Sequence, residues 1–131
     1  MTDDPEPRRK TGAAGANPPA CAVSQRLVGE VVVVSVTGVV DLATAHIVEA
    51  ALNSALERRP GALIVDVLGV DFLAAAGMTA FLHARERLGA AGRFAVVAAG
   101  PATARPMKAI GISDQLGMQT SLDDALQAMR A

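Results

Sequence analysis

Four consecutive valines, Val31 to Val34, open the stretch "VVVVSVTG". β-branched side chains are stiff at χ1 and fit a pleated surface better than a helical one. A run that is apolar at nearly every position predicts a strand covered on both faces or central in a sheet. The preceding "CAVSQRLV" is also strand-like, and Gly29 between the two allows a tight turn. The patterned part of the chain therefore begins with a β-hairpin.

After the hairpin, helical and strand patterns alternate. "TAHIVEAALNSALERR" places Val48, Ala51, Leu52, Ala55 and Leu56 at helical spacing. Thr44 is the expected N-cap, Arg58 and Arg59 sit at the C-terminal end where cations suit the dipole, and Pro60-Gly61 stops the helix. "ALIVDVLG" is a short continuous apolar run, expected as a third, buried strand. "GMTAFLHARERLGAAG" then carries Met78, Phe81, Leu82, Arg85 and Leu88 along a second helix, and "RFAVVAAG" supplies a fourth strand. A short helix is expected in "RPMKAIG", with Pro106 in its first turn and Gly111 at its end. "SLDDALQAMR" is the last helix, with Ser121 and Asp124 as a variant capping pair, and residues 112 to 120 are a candidate short edge strand. Strands alternating with helices after a hairpin imply an α/β fold, a single layer of mixed β-sheet of four to five strands with about four helices packed on it.

At 131 residues the chain suits one domain. Residues 1 to 20 hold Pro5, Pro7, Pro18 and Pro19 with scattered charge and no apolar period, the composition of a flexible tail. Within it, Arg8, Arg9 and Lys10 read as a solvated charge cluster. The domain is expected over 21–131. Trp and Tyr are absent and Phe occurs three times, so the core must be aliphatic. Twelve basic against thirteen acidic residues leave no electrostatic footprint for a polyanion, and few aromatic faces exist for bases to stack on. Both points argue against direct nucleic-acid binding. One cysteine, Cys21, excludes an internal disulfide; no apolar run approaches the roughly 20 residues of a membrane span, and a reducing, cytoplasmic setting is expected.

Chemistry-bearing residues are sparse. His46 and His83 lie on separate helices without a second ligand at metal-binding spacing, and no nucleophile elbow, P-loop or dinucleotide fingerprint occurs. No enzyme and no cofactor is expected. Asp41 at the end of the second strand, with Asp66 and Asp71 flanking the end of the third, could gather a carboxylate pair at one edge, although capping and partner contact suit strand-end acids better. Thr79 is the hydroxyl nearest the junction "DFLAAAGMTAF", where a phosphate would gain from a helix N-terminus. Cys21 beside the first strand reads as packing rather than as a redox sensor.

Taken together, "VVVVSVTGVVDLATAHIVEAAL" and "ALIVDVLGVDFLAAAGMTAFLHARERLGAAGRFAVVAAG", continuing to "SLDDAL", resemble the STAS domain of bacterial anti-sigma factor antagonists over residues 22 to 130. The family's Gly-x-x-Asp is matched by Gly38 and Asp41, its strand ending in Asp by Asp66, and its Gly-Val-x-Phe by Gly69, Val70 and Phe72. A helix opening on an Asp-Ser-Ser-Gly motif comes next, and here Ala74, Ala75, Ala76 and Gly77 stand in its place. The resemblance implies a partner, an anti-sigma factor that is also a serine kinase and phosphorylates the first serine of that motif to switch binding off. It further implies a partner-binding surface of Asp41, Ala74, Ala75, Ala76, Gly77, Met78 and Thr79. Ala75 occupies the phosphorylation position and has only a methyl group, so the corner keeps the family's outline and loses its switch. A second reading of the same resemblance is a ligand-sensing or scaffold STAS module of a transporter or sensory assembly.

Overall fold

The computed structural model describes residues 20–130. The expected tail, residues 1 to 20, thus lies outside the described residues except for Ala20. The first two strands are β1, Cys21–Val28, and β2, Val31–Val40, paired antiparallel from Cys21↔Gly38 to Val28↔Val31. Gly29, at φ 62°, occupies the first position of the two-residue turn, where a tight hairpin needs a positive φ that glycine adopts without strain.

Helix α1, Ala45–Glu57, crosses to β3, Ala62–Leu73, which pairs parallel to β2. Helix α2, Ala75–Leu88, returns to β4, Arg93–Val97, parallel to β3. Two short helices complete the chain, α3 at Ala104–Ala109 and α4 at Leu122–Arg130. The sheet order is β1-β2-β3-β4, so the valine-rich β2 is internal, as its sequence requires. Gly111 follows α3 at φ 78°, the expected helix-ending glycine.

Different helices pack on the two faces of the sheet. Val32, Val34, Leu63, Val65 and Val96 join Val48 and Leu52 of α1, Phe81 of α2 and Met107 of α3 in the larger aliphatic core. Their alternates Val33, Ile64 and Ala95 form a row across three strands on the other face and pack beneath Ala125 of α4. Arg93 donates to the Met129 carbonyl at 2.7 Å and ties down the end of α4. Each fully buried Val, Leu or Phe contributes about 1.5–3 kcal/mol relative to exposure, so these two alternating sets drive the layer arrangement.

The structure departs from the sequence expectations at several points. Strand β3 runs on to Leu73 instead of stopping near Gly69, because irregularities between Ser35/Thr37 and Gly38/Val39 absorb the polar and glycine residues without breaking the pairing. Asp66 therefore lies within the strand, and its Oδ1 accepts the Leu68 N–H at 3.0 Å. Residues 112 to 120 form turns and a single bridge, Val97↔Gln119, in place of a fifth strand. Arg58 and Arg59 lie just past α1, with Arg59 at φ 51°, since the chain must already reverse there before Pro60-Gly61. At α4 the Ser121 Oγ accepts the Asp124 N–H at 3.1 Å, the N-cap half of the expected pair.

Candidate functional site

The C-terminal ends of β2 and β3 meet the first turn of α2 at one corner of the molecule. Register places Val40 beside Leu73, and the Ala74 N–H donates to the Val40 carbonyl at 2.8 Å, so the corner is fixed by backbone alone. Ala74 is extended, φ −86° and ψ 168°, as an N-cap should be, but it has no side-chain acceptor to offer. The Gly77 and Met78 amides turn to the Ala74 carbonyl. Ala75 is exposed, while Ala74 and Ala76 are half-buried.

Gly77 is the structural reason the corner closes. A Cβ at this position would stand 2.6 Å from Val40 Cγ1 and 2.7 Å from Leu73 Cδ1, closer than packed atoms approach. Only a residue without a side chain lets α2 begin directly against the two strand ends. Met78 follows it into the core, and Thr79 faces solvent with its hydroxyl donating to the Ala75 carbonyl at 3.1 Å.

Asp41 builds the adjoining shoulder. Its Oδ1 accepts the Thr44 N–H at 3.0 Å while Thr44 Oγ1 accepts the Asp41 N–H at 2.9 Å. This is a reciprocal capping box, and the Ala45 N–H bonds to the Asp41 carbonyl at 2.9 Å in helical fashion. Thr44 holds the N-cap position of α1, as expected from sequence, but its side chain caps no helix amide and instead closes the reciprocal pair with Asp41 in the turn that leads into the helix. The other half of the Gly-x-x-Asp pair has its own task. Gly38 sits at φ 91°, and a Cβ on it would collide with the Ala20 carbonyl, which accepts the Val39 N–H at 2.6 Å.

The remaining candidates fall elsewhere. Asp71 is the unpaired residue of the irregularity between Gly38/Val70 and Val39/Phe72, exposed on the sheet, while Asp41 lies beyond Val40↔Leu73; β2 and β3 are neighbours as expected, but the register sets the two acids at different levels. His46 and His83 are both exposed, on α1 and α2. Among the described residues no group of three His, Cys, Asp or Glu is placed to hold a metal, and no helix is long and apolar enough to cross a membrane. Cys21 is buried, and burial first, then the nearby Asp41 carboxylate, push its thiol pKa up, which disfavours the reactive thiolate. Sequence reasoning missed one feature of the corner's flank. Val39 and Phe72 pair across β2 and β3 on the face away from α1 and α2, and Phe72 is 53% exposed.

These features define a small single-sheet α/β domain whose candidate site is a surface corner of backbone, methyl groups and one capped carboxylate. The family model of the STAS domain matches residues 23–125, and the chain belongs to the STAS-domain family of anti-sigma factor antagonists. It is 34% identical over 100 residues to the anti-sigma-F factor antagonist RsfB of Mycobacterium tuberculosis, covering 76% of this chain and 82% of that one. The crystal structure of an anti-sigma factor antagonist from Mycobacterium paratuberculosis superposes with a TM-score of 0.84 at 35% identity, covering 88% of this chain and 99% of the other. The phosphorylated form of the Bacillus cell fate determinant SpoIIAA shares the fold, with a TM-score of 0.63 at 20% identity over 82% of this chain and 98% of that one.

Proposed function

We propose that this chain binds an anti-sigma factor through Asp41 and the exposed or half-exposed Ala74, Ala75, Ala76 and Thr79, the expected contacts Gly77 and Met78 being buried beneath them, frees the sigma factor held there, and stays in its binding-competent state because position 75 cannot be esterified. The observation that carries this reading is the exposure of Ala75 at the first position of α2, beside a half-buried Ala74 that offers no cap. A hydroxyl at that point would be open to a kinase, and a phosphoryl group would add about −1.5 to −2 charges to a surface that is now small and neutral. A methyl group accepts no phosphate. The relatives' names, anti-sigma factor antagonists at 34% and 35% identity, support the partner class.

A pull-down against the organism's full set of anti-sigma factors, read out by sigma-factor release, tests the reading, and silence across the complete set would sink it. The double variant Ala74→Asp, Ala75→Ser should accept phosphate from a partner with serine kinase activity and then lose binding. If the double variant binds such a kinase and takes up no phosphate, the alignment at the corner is wrong. Thr79→Ala in the same background should leave phosphate uptake unchanged, since the Thr79 hydroxyl already donates within the helix.

A further inference from the structure

Strand β1 is an edge of the sheet, and the two edges are finished differently. Along the outer side of β4 the chain covers itself. The Val96 N–H donates to the Leu116 carbonyl at 3.1 Å, and the Gln119 and Ala98 N–H groups donate to the Val96 and Gln119 carbonyls, each at 2.9 Å. Among the described residues no segment does the same for β1. An open edge is ordinarily blunted by a proline, a lysine, a bulge or a short strand. Here "CAVSQRLV" is 8 residues long, contains neither proline nor lysine, and pairs with β2 without a register shift.

The hydrogen bonding of the hairpin fixes which groups point outward, because antiparallel strands bond at alternate residues. The Val39 N–H bonds to the Ala20 carbonyl, and the register carries the same parity through Ala22, Ser24 and Arg26 to Val28 at the turn. Cys21, Val23, Gln25 and Leu27 therefore direct their N–H and C=O groups away from β2. Their side chains lie on the α1 side: Cys21 is in the main core, Gln25 Nε2 donates to the Ala51 carbonyl at 3.5 Å, and Leu27 is left 55% exposed. The flank of α1 above this edge is uncharged through Ile47, Ala51 and Ser54, which share one helix face.

The same edge on another molecule offers matching groups, and two-fold symmetry makes the pairing antiparallel. Charge selects the register. Outward residues must face outward residues, so the two-fold falls on Val23, Ser24, Gln25 or Arg26. On Arg26 it sets like charges directly opposite. On Gln25 it brings together the Arg58 guanidinium of each copy, since Arg58 Nη1 donates to Gln25 Oε1 at 3.4 Å. On Val23 it carries Leu27 past the start of the other strand at Cys21. On Ser24, Cys21 through Leu27 pair with themselves reversed; Leu27 then lies against Cys21 of the second copy, and Arg26 against Ala22.

We propose that β1 pairs antiparallel with β1 of a second copy about a two-fold at Ser24, joining the two sheets into one. The pairing does not depend on the docking reading above. It uses the side of a strand, whereas the corner uses strand ends, so the dimer presents two docking corners at once.

Sedimentation velocity of the full chain, without any partner, tests the pairing. The parent should associate to a dimer as concentration rises, and a chain that stays monomeric up to about 1 mM overturns the proposal. Leu27→Pro removes an outward N–H and no bond to β2, so it should weaken the dimer at least about tenfold while the hairpin survives. Leu27→Lys, at a position already 55% exposed, should do the same without altering the backbone. A dimer that Leu27→Lys leaves intact is held by another surface and also overturns the proposal. The register has its own readout. In a Cys21→Ala background, Ser24→Cys should cross-link to a disulfide dimer under mild oxidation, because opposed residues at a non-bonded site lie about 4.5 Å apart between Cα atoms. Leu27→Cys in that background should not cross-link, being ~20 Å from its own copy. Any outcome other than cross-linking at position 24 alone overturns the pairing.

Discussion

Asp41 and Thr44 each hold the other's backbone N–H, at 2.9 and 3.0 Å, and this reciprocal pair starts α1 at the edge of the candidate docking corner. One carboxylate thus has a structural task and a proposed binding task, and two substitutions separate them. Asn caps a helix about as well as Asp, so Asp41→Asn should leave stability within a few tenths of a kcal/mol, whereas Asp41→Ala should cost about 1 kcal/mol. Denaturant midpoints read the stability, and titration with a partner reads the affinity. If Asp41→Asn binds as tightly as the parent chain, the carboxylate's charge is not part of the interface.

At Gly77 two opposing effects of known size compete. Replacing Gly with Ala inside a helix ordinarily gains about 1 kcal/mol. At position 77 the new methyl would meet Val40 Cγ1 at 2.6 Å and Leu73 Cδ1 at 2.7 Å in a corner pinned by the Ala74 to Val40 hydrogen bond. Overpacking of this kind costs about 1–3 kcal/mol, so Gly77→Ala should be net destabilising by about 1 kcal/mol. Adding Val40→Ala opens room for the methyl. The double variant should therefore be more stable than the sum of the two singles predicts, a coupling that a thermodynamic cycle reads directly. Strict additivity would mean that the contact does not limit how α2 closes.

The uncapped start of α2 gives a third prediction. Ala74 already has the extended backbone of an N-cap and lacks only an acceptor. Ala74→Ser should therefore raise stability by about 1 kcal/mol, or about 4 °C in melting temperature for a domain of this size. Ala74→Asp should do the same while restoring the family's acid. A melting temperature unchanged in both variants would mean that the Ala76 and Gly77 amides gain nothing from an acceptor at 74.

The element order is legible in the sequence because each segment carries one dominant period: Val31 to Val34 and Leu63 to Val65 read as strands, and Val48, Leu52 and Ala55 share one helix face. Legibility fails where tertiary pairing overrides local chemistry. Gly69 and Asp71 look like loop residues, yet β3 passes through both because β2 offers a partner throughout and the irregular register takes up the misfits. Thr44 is legible as the N-cap position of α1, but its reciprocal pairing with Asp41 is not, because only geometry shows which side chain holds which amide. The corner from Ala74 to Thr79 is legible as one turn. The exposure of Phe72 is not, because that depends on how far α4, fifty residues later, extends over the sheet.

Alkaline pH should probe Cys21, which is 6% exposed and whose thiol pKa is raised by burial and then by the Asp41 carboxylate. A group with a folded pKa above its unfolded value keeps its proton in the native state after the unfolded chain has lost it, so the unfolded state binds fewer protons and stability falls as pH rises. The contribution is complete below the unfolded thiol value of about 8.5 and disappears as pH climbs from there through the folded value. The chain contains no tyrosine, which leaves alkaline titration to the thiol, the amino terminus, and Lys10 and Lys108. Urea midpoints between about pH 7 and about pH 10 should accordingly fall more steeply for the parent chain than for Cys21→Ala, in which only the other groups remain. Asp41→Asn removes the lesser cause and should narrow that difference without abolishing it. Parallel curves for parent and Cys21→Ala would show that the thiol is no harder to ionise in the fold than in the open chain, and that the packing of β1 against the Asp41 shoulder is looser than this structure has it.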